Sequence, residues 1–127
     1  MDSIIKLMNL VERKRQIDLD NEWYEGASTY LSEMRKELVE VENELNSNLL
    51  SRLEDELGDV LWDYLNLLRS LADERDISTD AVFSRAVRKY DERISGIESG
   101  MSWSEIKAEQ KQREAHAGPI SDKGDSA

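Results

Sequence analysis

Two pairs of acidic residues with the same spacing suggest a metal site in this chain. Glu37 and Glu40 are separated by two residues, and Glu56 and Asp59 repeat that spacing in the next stretch that reads as helix. Side chains at i and i+3 share one edge of a helix, so two such helices packed antiparallel would direct four carboxylates into one gap. Carboxylate oxygens suit Mg²⁺, which keeps several waters and binds a phosphate chain with its remaining positions.

A solvated helix face is the competing interpretation, and it is the more frequent one in a chain with 35% charged residues. The phase of the two pairs argues against it. At ~100° per residue, both pairs fall at the same offset from the apolar stripe of their helix. Glu37 and Glu56 border the apolar edge, whereas Glu40 and Asp59 lie further round. Asp63 continues the second row at i+4 from Asp59.

The composition restricts the class of protein and its partners. At 127 residues the chain fits one domain with a modest core. The net charge of −11 disfavours nucleic acids and anionic membranes as partners, because both would repel it. The absence of cysteine excludes disulfides and thiolate chemistry and fits a reducing compartment. No apolar run approaches the ~18–20 residues of a membrane span, and the first residues do not resemble a signal sequence. We therefore expect a cytoplasmic protein.

The periodicity of the apolar residues predicts an all-α chain. Period-two alternation is absent, and the only proline is at position 119. Asn46-Ser47-Asn48 separates the second and third helices, and Ser102 to Glu105 matches a capping box that opens the fifth. Five helices are expected. The first begins at about residue 4 and ends near the polar stretch 16–21, and the others lie at about residues 28–46, 49–73, 81–94 and 103–114.

The predicted architecture is a small bundle of four to five helices around a central hairpin that carries the acidic pairs. Residues 1–114 are expected to form a single domain, and residues 115–127 a disordered tail rich in Gly, Pro, Ser and Asp. The third helix is apolar on more than one side, since Trp62, Leu65 and Leu67 lie off its main stripe. A helix of that kind needs several neighbours, so we expect a homodimer or homotetramer to complete the bundle.

The acidic pairs resemble those of the MazG family of all-α nucleoside triphosphate pyrophosphohydrolases. The family pattern is Glu-x-x-Glu on one helix and Glu-x-x-Asp on the next, commonly spelled Glu-Leu-Gly-Asp. Residues 56–59 have that spelling. Two later segments resemble family elements in the same order, namely the basic stretch 85–90 and Trp103-Ser104-Glu105-Ile106-Lys107, which matches Trp-x-x-Ile-Lys. The resemblance spans roughly residues 28–112.

Two elements of the family pattern differ in this chain. The Cys-Pro-Trp-Asp segment is absent, with Asp20-Asn21-Glu22-Trp23 as its nearest approach, and the His-Pro-His-Val-Phe run is replaced by Tyr90-Asp91-Glu92-Arg93-Ile94. The four acids are unaffected by these differences. The family's base recognition and substrate preference therefore do not transfer to this sequence.

The resemblance implies that water attacks the α-phosphorus of a nucleoside triphosphate and releases the monophosphate and pyrophosphate. The four acids would hold one or more Mg²⁺ ions, for which Mn²⁺ is the expected substitute, and the metal would neutralise the triphosphate and acidify a bound water. Glu40 is our candidate for the base that takes the proton, because periodicity leaves it without a packing role.

Substrate contacts are expected from the basic and aromatic residues downstream. The candidates to meet the phosphate oxygens are Arg88, Lys89 and Lys107, with Arg85 and Arg93 as further candidates behind them. For each of them a plain surface charge is about as frequent an explanation. Trp103 is the candidate to stack on a base or sugar, although a tryptophan at a helix start is about twice as often a packing anchor.

Two alternatives remain open. A non-catalytic acidic helical module that binds another chain explains the charge and the apolar stripes, but it does not explain an in-phase acidic repeat followed by Trp-x-x-Ile-Lys. The other alternative is an enzyme with the same fold and a narrower substrate, as in dimeric dUTPases or phosphoribosyl-ATP pyrophosphohydrolases. If the acidic motifs hold the metal, Glu33 and Glu44, which lie outside them, should be dispensable.

Overall fold

The computed structural model describes the backbone of residues 2–126 and the side chains of residues 2–115. Five helices follow one another, and no strand occurs within residues 2–126, which confirms the all-α prediction. Their bounds are α1 Asp2–Leu19, α2 Ala27–Glu44, α3 Leu50–Glu74, α4 Thr79–Glu98 and α5 Trp103–Ser126. Over this part of the chain, none of the helices has the length and apolar character that crossing a bilayer requires.

The bounds of α2 and α3 lie within about two residues of those expected, and α1 ends at Leu19, inside the polar stretch where its end was expected. Near that end, Lys14 forms an ion pair with Asp18, one turn further along the helix. Helices α4 and α5 are longer than expected. Helix α4 continues through Gly96 and ends at Glu98, shortly before Gly100, which has a φ of +99°. There the backbone N–H of Gly100 donates to Ile97 O at 3.0 Å, and that of Met101 to Gly96 O at 2.9 Å, as in a glycine C-cap.

Helix α5 begins at Trp103, as expected, and its backbone is helical to Ser126, beyond the expected end near Glu114. The disordered tail over residues 115–127 remains a prediction. Side chains beyond residue 115 lie outside the described part of the structure.

The chain divides into two compact units at residues 76 and 77. In the first, α2 and α3 form a hairpin connected by residues 45–49, and α1 packs on α3. The apolar residues buried in this unit are few: Val11, Ala27, Tyr30, Leu65 and Leu68. The single domain over residues 1–114 remains a prediction.

Polar contacts fix the three helices of the first unit to one another. The backbone N–H of Ala27, at the start of α2, donates to Glu74 Oε2 near the end of α3 at 2.6 Å. Gly26 precedes it with a φ of +100°, and a Cβ there would lie 2.9 Å from the same oxygen, so only glycine fits without strain. Between α1 and α3, Arg15 pairs with Asp73, while Arg69 pairs with both Asp73 and Glu12.

The second unit is built around a buried arginine. Arg93 of α4 donates through Nε to Gln110 Oε1 of α5 at 2.7 Å, and Gln110 Nε2 donates to the backbone oxygen of Lys89 at 3.0 Å. Helices α4 and α5 also meet at Gly96, where a Cβ would lie 2.6 Å from Ile106 Cδ1. The absence of a side chain at Gly96 is therefore what allows Ile106 to be buried.

Candidate active site

The contact seam of the α2–α3 hairpin carries acidic residues where apolar ones would be expected. On α2, reduced exposure recurs with near-heptad spacing at Tyr30, Met34, Glu37, Val41 and Glu44, and on α3 at Leu53, Glu56, Val60, Asp63 and Leu67. The sequence predicts an apolar stripe on α2 at Leu31, Met34, Leu38, Val41 and Leu45. Met34 and Val41 lie in the seam, whereas the three leucines are exposed by 39%, 52% and 63%. Helix α2 is therefore rotated from the orientation that its hydrophobic pattern favours. Carboxylates placed in a seam cost stability, so the arrangement points to a functional site.

Three of the four predicted metal ligands meet in this seam. Glu37, Glu56 and Asp59 each present a carboxylate oxygen, and these oxygens lie within 4.8 Å of one another. Glu37 and Glu56 are half-buried and Asp59 is exposed, so the cluster is open to solvent on one side. A group of hard oxygen donors with an open side is suited to a divalent cation that retains water or binds a phosphate oxygen.

The electrostatics of the cluster show that its acids repel one another. Burial, the hydrogen bond with Glu56 and the charges of Asp59 and Glu56 raise the pKa of Glu37 to about 7. Burial is also the main cause at Asp63, where it combines with the charges of Glu33 and Asp59 to raise the pKa to about 6, against the opposing effect of Lys14. Without a cation, Glu37 is therefore partly protonated at neutral pH.

A cleft of about 480 Å³ in the first unit includes part of this cluster. Its acidic lining residues are Glu33, Glu37, Asp59 and Asp63, and its other lining residues are the aromatic Trp23, Tyr30 and Trp62 together with Lys14 and Asn21. The cleft thus combines anionic groups that can hold a cation with aromatic surfaces and one ammonium group.

Two acids of α2 do not lie where the sequence suggested. Glu40 is exposed and is not among the three residues whose oxygens converge, so its roles as ligand and base remain predictions. Glu33, which we expected to be dispensable, lines the cleft. The signal was present in the spacing, since Glu33 precedes Glu37 by four residues just as Asp59 precedes Asp63.

Of the cleft residues before α2, Lys14 was not identified from the sequence. It lies in α1, whereas Asn21 and Trp23 lie in the connection to α2, in the segment that is the nearest approach to the family's Cys-Pro-Trp-Asp element. In that connection Asn21 Oδ1 accepts a hydrogen bond from the Trp23 backbone N–H at 2.9 Å, which orders the turn. No motif or periodicity marks Lys14 as a neighbour of the acids.

The predicted substrate-binding residues all belong to the second unit. Arg88, Lys89 and Lys107 are exposed on α4 and α5. The ring of Trp103 stacks on Tyr90 with centroids 6.3 Å apart, and the guanidinium of Arg93 lies 5.1 Å from the Trp103 centroid. Trp103 therefore has a packing role in this unit, and contacts of the four residues with substrate remain predictions.

The comparison with family models decides the classification. The model of the MazG nucleotide pyrophosphohydrolase domain matches residues 25–96, which is more than half of the chain. The chain belongs to the MazG family. No curated protein and no solved structure matches it.

The range that matches the MazG model includes some of the predicted site and cleft residues and leaves out others. All four predicted metal ligands and the cleft residues from Tyr30 onward lie inside residues 25–96. Lys14, Asn21 and Trp23 lie before that range, and Trp103 and Lys107 lie after it. Part of the cleft is thus formed by residues that the family match does not cover.

Proposed function

We propose that this chain is a Mg²⁺-dependent nucleoside triphosphate pyrophosphohydrolase, which converts a ribo- or deoxyribonucleoside triphosphate and water to the monophosphate and pyrophosphate. The observation that carries the proposal is the convergence of Glu37, Glu56 and Asp59 within the MazG segment. Neither a solvated helix face nor a simple packing interface accounts for carboxylates collected in a helical seam.

The donor set supports Mg²⁺ as the cofactor and Mn²⁺ as its substitute. All three converging groups are carboxylates, and no cysteine or histidine joins them among residues 2–115. Hard oxygen ligands of this kind favour Mg²⁺ or Mn²⁺ over softer metals. The raised pKa of Glu37 is a further argument. It reflects burial first and then the hydrogen bond with Glu56 and the charges of the neighbouring acids, and a bound cation would offset the cost of ionising Glu37 there. When bound, the ion supplies charge neutralisation of the triphosphate and a more acidic water.

The proposed reaction balances with water as the only co-substrate. The water oxygen forms a bond to the α-phosphorus, and the bond from that phosphorus to the oxygen bridging to the β-phosphorus breaks, so the bridging oxygen leaves with pyrophosphate. In this scheme Glu37, Glu56 and Asp59 hold the cation, and Glu40 contributes a fourth carboxylate and takes the proton from the water. Exposure at the edge of the seam leaves Glu40 free to accept that proton.

The remaining substrate contacts are assigned by residue chemistry. Arg88, Lys89 and Lys107 are proposed to bind phosphate oxygens, and Trp103 is proposed to stack on the base or sugar. Each can be tested by removing its charge or ring and measuring KM separately from kcat.

Pyrophosphate release from a panel of ribo- and deoxyribonucleoside triphosphates, with and without Mg²⁺, tests the proposal. The panel should include dUTP and phosphoribosyl-ATP, because exclusive use of either would indicate the narrower specificity of the related enzymes. We expect pyrophosphate from at least one substrate, and only with a divalent cation. Orthophosphate as the product would indicate attack at the γ-phosphorus and would contradict the mechanism. No turnover across the panel would favour the interaction module.

Glu56→Gln and Glu54→Gln form a matched pair for this assay. Both residues lie on α3, but only Glu56 belongs to the acidic cluster, whereas Glu54 is exposed. Loss of activity in the first variant alone would tie the reaction to the cluster. Equal loss in both would indicate that the acids act only through general surface charge.

A further inference from the structure

One cationic side chain, Lys14 of α1, lines the same cleft as the acids. Its ammonium donates hydrogen bonds to Asp18 Oδ1 and, at 3.0 Å, to the phenol oxygen of Tyr30. Tyr30 in turn donates its hydroxyl proton to the other oxygen of Asp18. Asp18 and Tyr30 are each only 2% exposed, so the ammonium is anchored to buried groups.

The anchoring leaves part of Lys14 accessible. Its side chain is 29% exposed, whereas that of Asp18 is 3% exposed. An ammonium has three N–H donors, and among the described residues only Asp18 and Tyr30 accept hydrogen bonds from it. The ring of Trp23, with its centroid 4.6 Å from Nζ, restricts where the group can move. Lys14 is therefore a positioned cation that can still accept an anionic ligand.

The charges that line the cleft indicate what that ligand is. Four carboxylates and one ammonium line it among the described residues, and the positive charge of Lys14 acts on Asp63. An anion on its own would be repelled by this lining. A phosphate chain that arrives with divalent cations is accommodated, because the cations meet the carboxylates and a remaining phosphate oxygen can meet the ammonium.

We propose that Lys14 binds a non-bridging oxygen of the substrate's phosphate chain and of the pyrophosphate product, with Asp18 and Tyr30 as its positioning residues. The proposal rests on the proposed function, since it requires a phosphate chain in this cleft. It adds a ligand from α1, which lies before the segment that matches the family model.

A purely structural role is the competing explanation, in which Lys14 serves only to neutralise the buried Asp18. Lys14→Met alone would leave the buried charge of Asp18 without a counter-charge and would destabilise the fold. The double variant Lys14→Met/Asp18→Asn removes both charges and avoids that cost. Asp18→Asn alone keeps the ammonium and removes its counter-charge. Lys6→Met removes a charge from an exposed position of the same helix and serves as the control.

The experiment measures the binding of inorganic pyrophosphate to the full chain by calorimetry at saturating Mg²⁺. We expect the double variant to bind pyrophosphate roughly ten-fold more weakly than the wild type, which corresponds to the loss of one hydrogen bond to a charged group. Asp18→Asn keeps a side-chain oxygen that can accept the hydrogen bond from Lys14 and removes only the counter-charge, so it should bind at least as tightly as the wild type. Lys6→Met should bind equally well. The affinity for Mn²⁺ alone should be unchanged in the double variant, because its net charge is that of the wild type.

The proposal would be overturned if the double variant bound pyrophosphate as tightly as the wild type. It would also be overturned if Asp18→Asn weakened pyrophosphate binding as much as the double variant does. No binding by the wild type would also overturn it. A failure of the proposed function has a different signature. In that case the wild type releases no pyrophosphate from any nucleotide, whatever the contribution of Lys14 to pyrophosphate binding.

Discussion

Glu37→Gln should stabilise the metal-free protein, and the gain should increase with pH. The environment raises the pKa of Glu37 from 4.5 to about 7, chiefly through burial and then through Glu56 and Asp59. A carboxyl whose pKa is raised in the folded state costs nothing below its unfolded pKa, because it is protonated in both states. As the pH rises through 7 the folded protein must ionise it at a cost, so stability falls.

The expected size of this stabilisation follows from the two pKa values of Glu37. A change from 4.5 to about 7 corresponds to an upper bound of about 3 kcal/mol at 1.36 kcal/mol per pH unit. Because Glu37 is only half-buried, solvent screens the repulsion, and we expect about 1 kcal/mol at pH 8. Glutamine keeps the shape of the side chain, and its amide can still donate to Glu56. The variant therefore removes the charge without opening a cavity.

Urea denaturation in EDTA at pH 4 and pH 8 measures this effect. The difference in unfolding free energy between Glu37→Gln and the wild type should be near zero at pH 4, below the unfolded pKa, and about 1 kcal/mol in favour of the variant at pH 8. Glu42→Gln, an exposed position on the same helix, should show no such difference. Mg²⁺ should then stabilise the wild type more than Glu37→Gln, by mass action. A variant that is less stable than the wild type at pH 8 would refute the reasoning, because Glu37 would then be a structural partner.

Three further predictions concern activity, acid stability and assembly. The value of kcat for pyrophosphate release should fall by at least about 100-fold in each of the variants Glu37→Gln, Glu40→Gln, Glu56→Gln and Asp59→Asn. Retained activity in Glu40→Gln would exclude Glu40 as the base. Arg15 and then Arg69 hold the pKa of Asp73 below its usual range, so this carboxylate stabilises the fold above pH 4 and loses that effect as the pH falls through its folded pKa. Asp73→Asn should therefore cost about 1 kcal/mol at pH 7 and progressively less as the pH falls below 4, and a loss that does not change with pH would contradict the ion-pair account. Light scattering at micromolar concentration should give at least a dimeric mass, and Leu38→Lys should lower it; a fully active monomer would contradict this.

The sequence predicted the parts of the structure that depend on local spacing. Glu37, Glu56 and Asp59 could be grouped because i and i+3 side chains share a helix edge and because a short connection folds α2 back on α3. The start of α5 was found for the same reason. Ser102 and Glu105 form the reciprocal hydrogen bonds of a capping box, each at 3.1 Å.

The parts that the sequence did not predict depend on packing between helices. Lys14 and Tyr30 are sixteen residues apart, and they meet only because α1 packs beside the hairpin. Arg93, at the centre of the second unit, would ordinarily be assigned to the surface, and it is buried because Gln110 and two aromatic rings surround its guanidinium. Hydrophobic periodicity carries no information on either set of contacts.

The rotation of α2 connects the acidic site to the prediction of an oligomer. Adjacent residues on a helix point ~100° apart, so turning Glu37 into the seam turns Leu38 out of it. Leu31 and Leu45 lie seven residues before and seven residues after Leu38, so they share its exposed face. On α3, Leu57 is exposed for the same reason beside Glu56. The acids and the exposed apolar rows are thus two consequences of one orientation of the hairpin. A second copy that covers these rows would offset the cost of the acidic seam, and assembly would then favour the orientation that keeps the carboxylates together.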